Sequence, residues 1–273
     1  MKKIFGTLAA FIVIVAVLFF TEFPWWIKPS NDRIWNEDQA LLPIILKDGD
    51  EISIRNIRNF TYETDTKFTP GYYDATYSLK ELETVDFLVE PFNGVHGAAH
   101  TLVSFGFKDG RHLAISIEIR KEKGESFSPW KGMAKNYELM YVIADERDVI
   151  KLRSNYRHDQ VYLYPIKTTP DKAKALFESM LARSEKLRRL PEFYHTILSN
   201  CTTNLAKHVN EITPSRIPWT FSQVLPATAD QTLYDLGLIN TDLTFAEART
   251  KYHINERAEK YASDPDFSHK IRE

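Results

Sequence analysis

The only cysteine of the chain, Cys201, stands in Asn200-Cys201-Thr202-Thr203-Asn204, just before or at the start of the run LAKHVN. In that place Asn200 would cap a helix whose first turn holds the thiol. The unpaired amides and the dipole of such a turn favour thiolate over thiol. A nucleophilic cysteine needs a base, and the base needs a group to orient it. The stretch from His96 to Arg120 offers both. It reads as two alternating strands joined at Lys108, Asp109 and Gly110. A two-residue turn at Asp109-Gly110 would pair Ser104 with Ile115 and His100 with Ile119, mixing core and solvent faces. A three-residue loop with Gly110 left-handed pairs Val103 with Ile115, Thr101 with Ile117 and His100 with Glu118. The longer loop is therefore predicted, and it sets an imidazole opposite a carboxylate on the polar face of the hairpin.

Blander roles compete. A free cysteine is often an inert buried hydrophobe. His96 and His112 suit loops or solvent-facing positions, and His195 precedes the cap. His208 shares a helix face with Cys201 but lies about 10 Å along the axis, too far for direct proton transfer. No HExxH occurs, and the spacing of His96 and His100 has no helical meaning on a loop-to-strand transition. Neither a metal nor a cofactor is predicted.

The elements that must hold these residues follow from length and pattern. The chain has 273 residues, 43% of them hydrophobic, enough for one sizeable core. A net charge of -2 gives no reason to expect nucleic acid as a partner. One cysteine excludes an intramolecular disulfide and a clustered thiolate metal site. After Met-Lys-Lys, Ile4 to Phe20 is uncharged, and as a helix it would measure about 26 Å, a little short of a bilayer core. Phe23, Trp25, Trp26 and Ile27 extend it into an aromatic interfacial segment. Residues 1–28 are thus predicted to be an uncleaved transmembrane signal anchor. The N-terminus would be cytoplasmic and the main domain periplasmic, a single-pass inner-membrane placement. Cleavage is the rival, but bulky FFTEFPWWIKP follows the run instead of a small-x-small site.

Residues 29–48 read as a connector, 49–254 as one domain and 255–273 as a charged, mobile tail. Strands are predicted at EISIRNI, at Val85 to Glu90, in the hairpin, at YELMYVIA, around Ile150 and at VYLYPI. Between them, RNFTYETDTKFTPGYYDATYSL is an ordered loop or a pair of irregular strands. A helix follows, with Thr169 as cap, Pro170 at its first position and an apolar stripe of Ala173, Leu176, Phe177, Met180 and Leu181. A second helical region spans about Glu192 to Asn210. Pro214, Pro218 and Pro226 mark a loop with Trp219 and Phe221, and short helices close the chain. The fold class is α+β, with one antiparallel sheet packed against helices and preceded by the transmembrane helix.

Four stretches, HGAAHTLVSFGF, AISIEIRKEKGESFSPWKG, YELMYVIADERDVIKLRSNYR and EFYHTILSNCTTN, resemble the DUF4105 family, the Lnb N-terminal periplasmic domain, from about Glu51 to Ser222. The resemblance implies a fold of the permuted NlpC/P60, papain-like type, in which histidine and its orienting residue precede the cysteine. His100, Glu118 and Cys201 then take the catalytic places, with Glu118 alternatively in a salt bridge to Arg120 or another base. Asn200, Tyr156, Arg157 and Arg120 are candidates for oxyanion stabilisation or substrate positioning, against structural hydrogen bonds and ion pairs. The implied function is a membrane-anchored periplasmic cysteine acyltransferase or hydrolase working through an acyl-thioenzyme. Its substrate would be an inner-membrane lipid or lipoprotein acyl group, with a membrane protein as a further partner. Trp130, Trp219 and Phe221 would line an acyl-facing groove or the core. A cell-wall peptide amidase or peptidase, and a non-catalytic envelope binding module, are the alternatives. Where the full protein that names the family has a set of C-terminal transmembrane helices, this sequence is expected to have one N-terminal anchor and no such set.

Overall fold

The computed structural model describes residues 27–94, 96–213, 217–218 and 226–273. In chain order its strands are β1 (Ile44–Asp48), β2 (Glu51–Arg58), β3 (Thr61–Tyr62), β4 (Phe68–Thr69), β5 (Tyr72–Ser78), β6 (Leu82–Pro91), β7 (Ala99–Phe107), β8 (His112–Arg120), β9 (Glu138–Ala144) and β10 (Tyr162–Pro165). The helices used below are α1 (Pro129–Met133), α2 (Glu146–Lys151), α3 (Pro170–Arg189), α4 (Cys201–Ile212), α5 (Ala229–Asp235), α6 (Phe245–Lys251), α7 (Asn255–Lys260) and α8 (Phe267–Lys270).

The hairpin of β7 and β8 has the register that its apolar alternation requires as far as Leu102 and Ser116. The predicted pairs Thr101–Ile117 and His100–Glu118 are not formed, because the strands part there and His100 lies opposite Glu90 of β6. Val103 lies opposite Ile115 and Phe105 opposite Leu113. The Phe107 amide donates to the Arg111 carbonyl at 3.0 Å across a three-residue loop, with Gly110 at φ +84°. Around this hairpin the sheet is built in the order β1-β2-β9-β8-β7-β6-β10, with β5 also paired to β2. All these pairs are antiparallel except β2 with β9, which run parallel and meet at Arg58 and Ala144. Asp148 sits at this junction. Its carboxylate accepts from Arg58 Nε and Nη2, from the Phe60 amide and from the Tyr62 hydroxyl at 2.8–3.0 Å.

Helices cover both faces of the sheet. Val103, Phe105, Ile115 and Ile117 pack under Leu176, Phe177 and Met180 of α3 and Leu205 of α4. On the other face Leu88, Leu102, Met140 and Val142 pack against Val149 and Ile150 of α2, with Ile254, Ala258, Phe267 and Ile271. Every residue of β7 is buried, so the polar side of the hairpin is not a solvated one. These features correct the predicted single antiparallel sheet of permuted NlpC/P60, papain-like type: the sheet is mixed, with eight strands and two covered faces.

Other expectations change too. The segment around Ile150 is not a strand but α2, capped by Asp145, which accepts from the Arg147 amide, and continued by a π-helical turn over Leu152–Tyr156. The second helical region starts at Cys201 rather than near Glu192. The tail is not a mobile extension, for Phe267 and Ile271 are fully buried and Arg272 pairs with Asp86 at 2.8 Å and Glu146 at 2.6 Å. Helix α3 keeps its predicted cap, Thr169 accepting from the Lys172 amide.

Nearly all of the predicted anchor, residues 1–26, and the aromatic pair Trp219 and Phe221 lie outside the described residues. Among the described residues no helix is long and apolar enough to cross a membrane. The described residues therefore lend no support to the predicted transmembrane helix or to the single-pass inner-membrane placement.

Candidate active site

Helix α4 begins where its sequence can pay for a beginning. Asn200 has extended backbone and accepts the Thr203 amide at 2.8 Å, while the Thr203 hydroxyl accepts the Asn200 amide at 2.8 Å. This reciprocal box places Cys201 at the first helical position, where backbone N–H groups lack partners within the helix. The Thr202 hydroxyl meets the Thr101 hydroxyl at 3.1 Å and so docks the helix start on β7.

His100 reaches the same place from the opposite side. It shares its side of β7 with Leu102, whereas Cys201 packs with the cluster on the α3–α4 face. The β7–β8 ladder ends at Leu102 and Ser116. Beyond that pair β7 continues along β6, with His100 opposite Glu90, and β8 continues along β9. Imidazole and thiol meet where the two strands part.

The imidazole Nε2 lies 2.6 Å from the Ser116 hydroxyl and 3.3 Å from Glu118 Oε1. The same Oε1 accepts from Ser116 at 2.6 Å and from Arg153 Nη2 at 2.8 Å. Arg153 in turn donates from Nε to Glu90 at 2.6 Å and from Nη1 to the Val149 carbonyl at 2.8 Å. Nδ1 is the ring nitrogen that these contacts leave open. The chain of contacts thus runs His100, Ser116, Glu118, Arg153, Glu90, and at its near end His100 is coupled electrostatically to Cys201.

Electrostatics make this a charge pair. Burial alone would push the imidazole down, but the Glu118 carboxylate and Cys201 raise it to about 10. Burial would push the thiol up, yet His100 and the amide and hydroxyl of Thr101 bring it down to about 7. Although desolvation opposes it, half-buried Glu118 is held well below the usual carboxylate range by His100, Arg153 and Ser116. At neutral pH much of the pair is therefore thiolate beside imidazolium.

The remaining predicted residues are placed elsewhere or otherwise engaged. Asn200 caps α4 with its oxygen and donates its side-chain amide to the Thr196 carbonyl at 2.8 Å. Arg120 turns away from the site: it binds the carbonyls of Gln39 and Ala40 and Asn31 Oδ1, and stacks 4.2 Å over Trp35. Tyr156 packs on Tyr62, with ring centroids 5.6 Å apart. Arg157 is 3.8 Å from Glu90, at the outer end of the charge chain. Trp130 is 77% exposed, which removes it from the core. Of the rival bases, His208 is held between Tyr141 and Ser179, and His195 accepts the amides of Ile197 and Leu198.

Thr101, Ser116, Glu90 and Arg153 were not among the predicted site residues. Three of them look like ordinary strand residues in sequence. Arg153 had a usable signal, because Asp145-Glu146-Arg147-Asp148 has the acidic start of a capped helix, and a helix brings Arg153 under β7.

An apolar cleft opens beside α4, walled by Phe87, Val103, Leu176, Thr202, Leu205 and Val209 and enclosing about 930 Å³, part of it open to solvent. Thr202 joins it to the thiol.

These findings correct the membrane-anchored enzyme acting on a lipid or lipoprotein acyl group. Among the described residues there is no membrane-crossing helix. Nor do they contain a group of three or more His, Cys, Asp or Glu side chains that could hold a metal. In place of a compact Cys-His-Glu triad, the carboxylate is shared with a serine and an arginine.

No curated protein and no solved structure matches the chain. One family does, the Lnb N-terminal periplasmic domain, over residues 68–227, a span that holds β6 to β10, α3, α4, Cys201 and every member of the contact chain from His100 to Glu90. The match takes in more than half of the 273 residues, and the chain belongs to the Lnb N-terminal periplasmic domain family.

Proposed function

We propose that the chain is a thiol-dependent enzyme of the acyltransferase or hydrolase class, with Cys201 as nucleophile and His100 as its base. One observation carries this reading: a buried thiol at the first position of a capped helix meets an imidazole whose far nitrogen is already held. A structural cysteine in an apolar core needs neither partner.

The chemistry follows from the arrangement. Cys201 supplies the electron pair to a carbonyl carbon, and His100 returns the proton to the departing group. Since the Asn200 side chain is committed to the cap, the backbone amides of the first turn of α4 are the donors for a developing oxyanion. The acceptor, water or an amine, decides between hydrolysis and transfer.

The test is the pH dependence of alkylation by iodoacetamide, followed by intact mass. Wild type should alkylate with a midpoint near 7, Cys201→Ala should take no label, and His100→Ala should move the midpoint up toward that of an ordinary cysteine, about 8.5. A wild-type midpoint already at the ordinary value and indifferent to His100→Ala would overturn the reading.

A further inference from the structure

We propose that Ser116, oriented by Glu118, keeps a proton on Nε2 of His100 and so makes Nδ1 the nitrogen that serves Cys201, with Arg153 as the positioning residue that holds Glu118 in place. The inference rests on the thiol-enzyme reading above.

The argument is one of counting protons. Ser116 is fully buried on β8 and has one hydroxyl proton. That proton is donated to Glu118 Oε1 at 2.6 Å. Its oxygen can then only accept, and the group facing it, at 2.6 Å, is Nε2 of His100. Nε2 must therefore carry hydrogen, and in the neutral ring the lone pair is on Nδ1. When the thiol ionises, its S–H bond breaks and an N–H bond forms at Nδ1. The Nε2–H stays where it was, and the new positive charge is balanced by Glu118, which lies 3.3 Å from Nε2 and is also joined to it through the serine.

Arg153 is what keeps the carboxylate from turning. Its guanidinium is fixed on three sides, by Glu118, Glu90 and the Val149 carbonyl. The planar fork matches that geometry, and a lysine ammonium does not. Glu90 also sits directly opposite His100 in the β6–β7 ladder, so one strand pair places both the imidazole and the far end of the chain.

Two measurements test the assignment. In Cys201→Ala with ¹⁵N-labelled histidine, neutral His100 should give the ring-nitrogen spectrum of the Nε2–H tautomer; an Nδ1–H tautomer overturns the proposal, and this variant keeps Ser116 intact. In the iodoacetamide profile, Ser116→Ala should alkylate about tenfold more slowly than wild type at pH 6, with the two converging above pH about 9. Arg153→Lys should shift the midpoint in the same direction. Unchanged rates at pH 6 in Ser116→Ala overturn the serine's role, and an unchanged midpoint in Arg153→Lys overturns the arginine's. If wild type itself has an ordinary midpoint that His100→Ala leaves alone, the thiol-enzyme reading fails and this one with it. A low, His100-dependent midpoint with no response to Ser116 sinks the relay alone.

Discussion

Thr101 contributes to the thiolate from a side that has no charge. Its amide and hydroxyl both lie against Cys201, and the hydroxyl also touches Thr202. Hydrogen bonds to an anion favour the anion, so removing one raises the pKa. Thr101→Val keeps the shape and loses the hydroxyl. We expect its alkylation midpoint to rise by about half a unit to one unit, a loss of roughly three- to tenfold in rate at pH 6. Stopped-flow alkylation at pH 6 and pH 9 checks this, since only the lower pH should respond. The residues easiest to read from sequence were those whose type is scarce, one cysteine and a histidine in a patterned strand. Ser116 and Thr101 were hidden because serine and threonine are common on strands and acquire meaning only from what folds against them.

At the scale of elements, the start of α4 couples folding to reactivity. Asn200→Ala removes the acceptor for the Thr203 amide and should cost about 1 kcal/mol of stability. It should also raise the thiol midpoint, because a frayed first turn no longer presents its amides and dipole to the sulfur. Thermal melting and the alkylation profile measure the two effects, and a stability loss with an unmoved midpoint would separate them. Elements held by neighbours in sequence were legible. The β7–β8 register followed from alternation, and α3 from its cap, proline and stripe. The segment after β9 was misread because Val149, Ile150 and Leu152 form a short apolar patch that suits either period, and a covered face accepts both. The parallel contact of β2 with β9 joins residues far apart in the chain, and no local pattern encodes it.

The whole molecule carries a pH signature distinct from that of the site. His208 is buried between α3, α4 and β9, and burial lowers its imidazole to about 4. Its unfolded value is about 6.5. The unfolded chain therefore binds this proton first, and stability falls as pH drops from about 6.5 to about 4, by about 3 kcal/mol in total for this group. Above that window the contribution is complete. Urea titrations at pH 7.5 and 4.5 should show the loss, and His208→Phe should reduce the difference between them while leaving Cys201 alkylation above pH 7 unchanged.

Asp148 has a consequence for how the fold comes apart. The strands β1, β2 and β5 join the remainder of the sheet through one parallel pairing, and four hydrogen bonds to a single carboxylate fasten that junction. Side chains such as Ile54, Ile57 and Tyr77 still pack into the common core, Tyr77 with its ring centroid 4.8 Å from that of Phe107. Backbone pairing across the junction is confined to one step, however, and proteins open locally where such pairing is thinnest. Under mild urea, the amides of β1, β2 and β5 are expected to exchange with deuterium as one group, ahead of those of β6 to β9. Asp148→Asn, which leaves the buried Arg58 without its counter-charge, should bring that early group forward by several orders of magnitude, corresponding to about 3–5 kcal/mol. Exchange in the β7–β8 hairpin should change far less. One edge of the sheet can then melt and re-form while the strands that hold His100 and receive Cys201 stay closed.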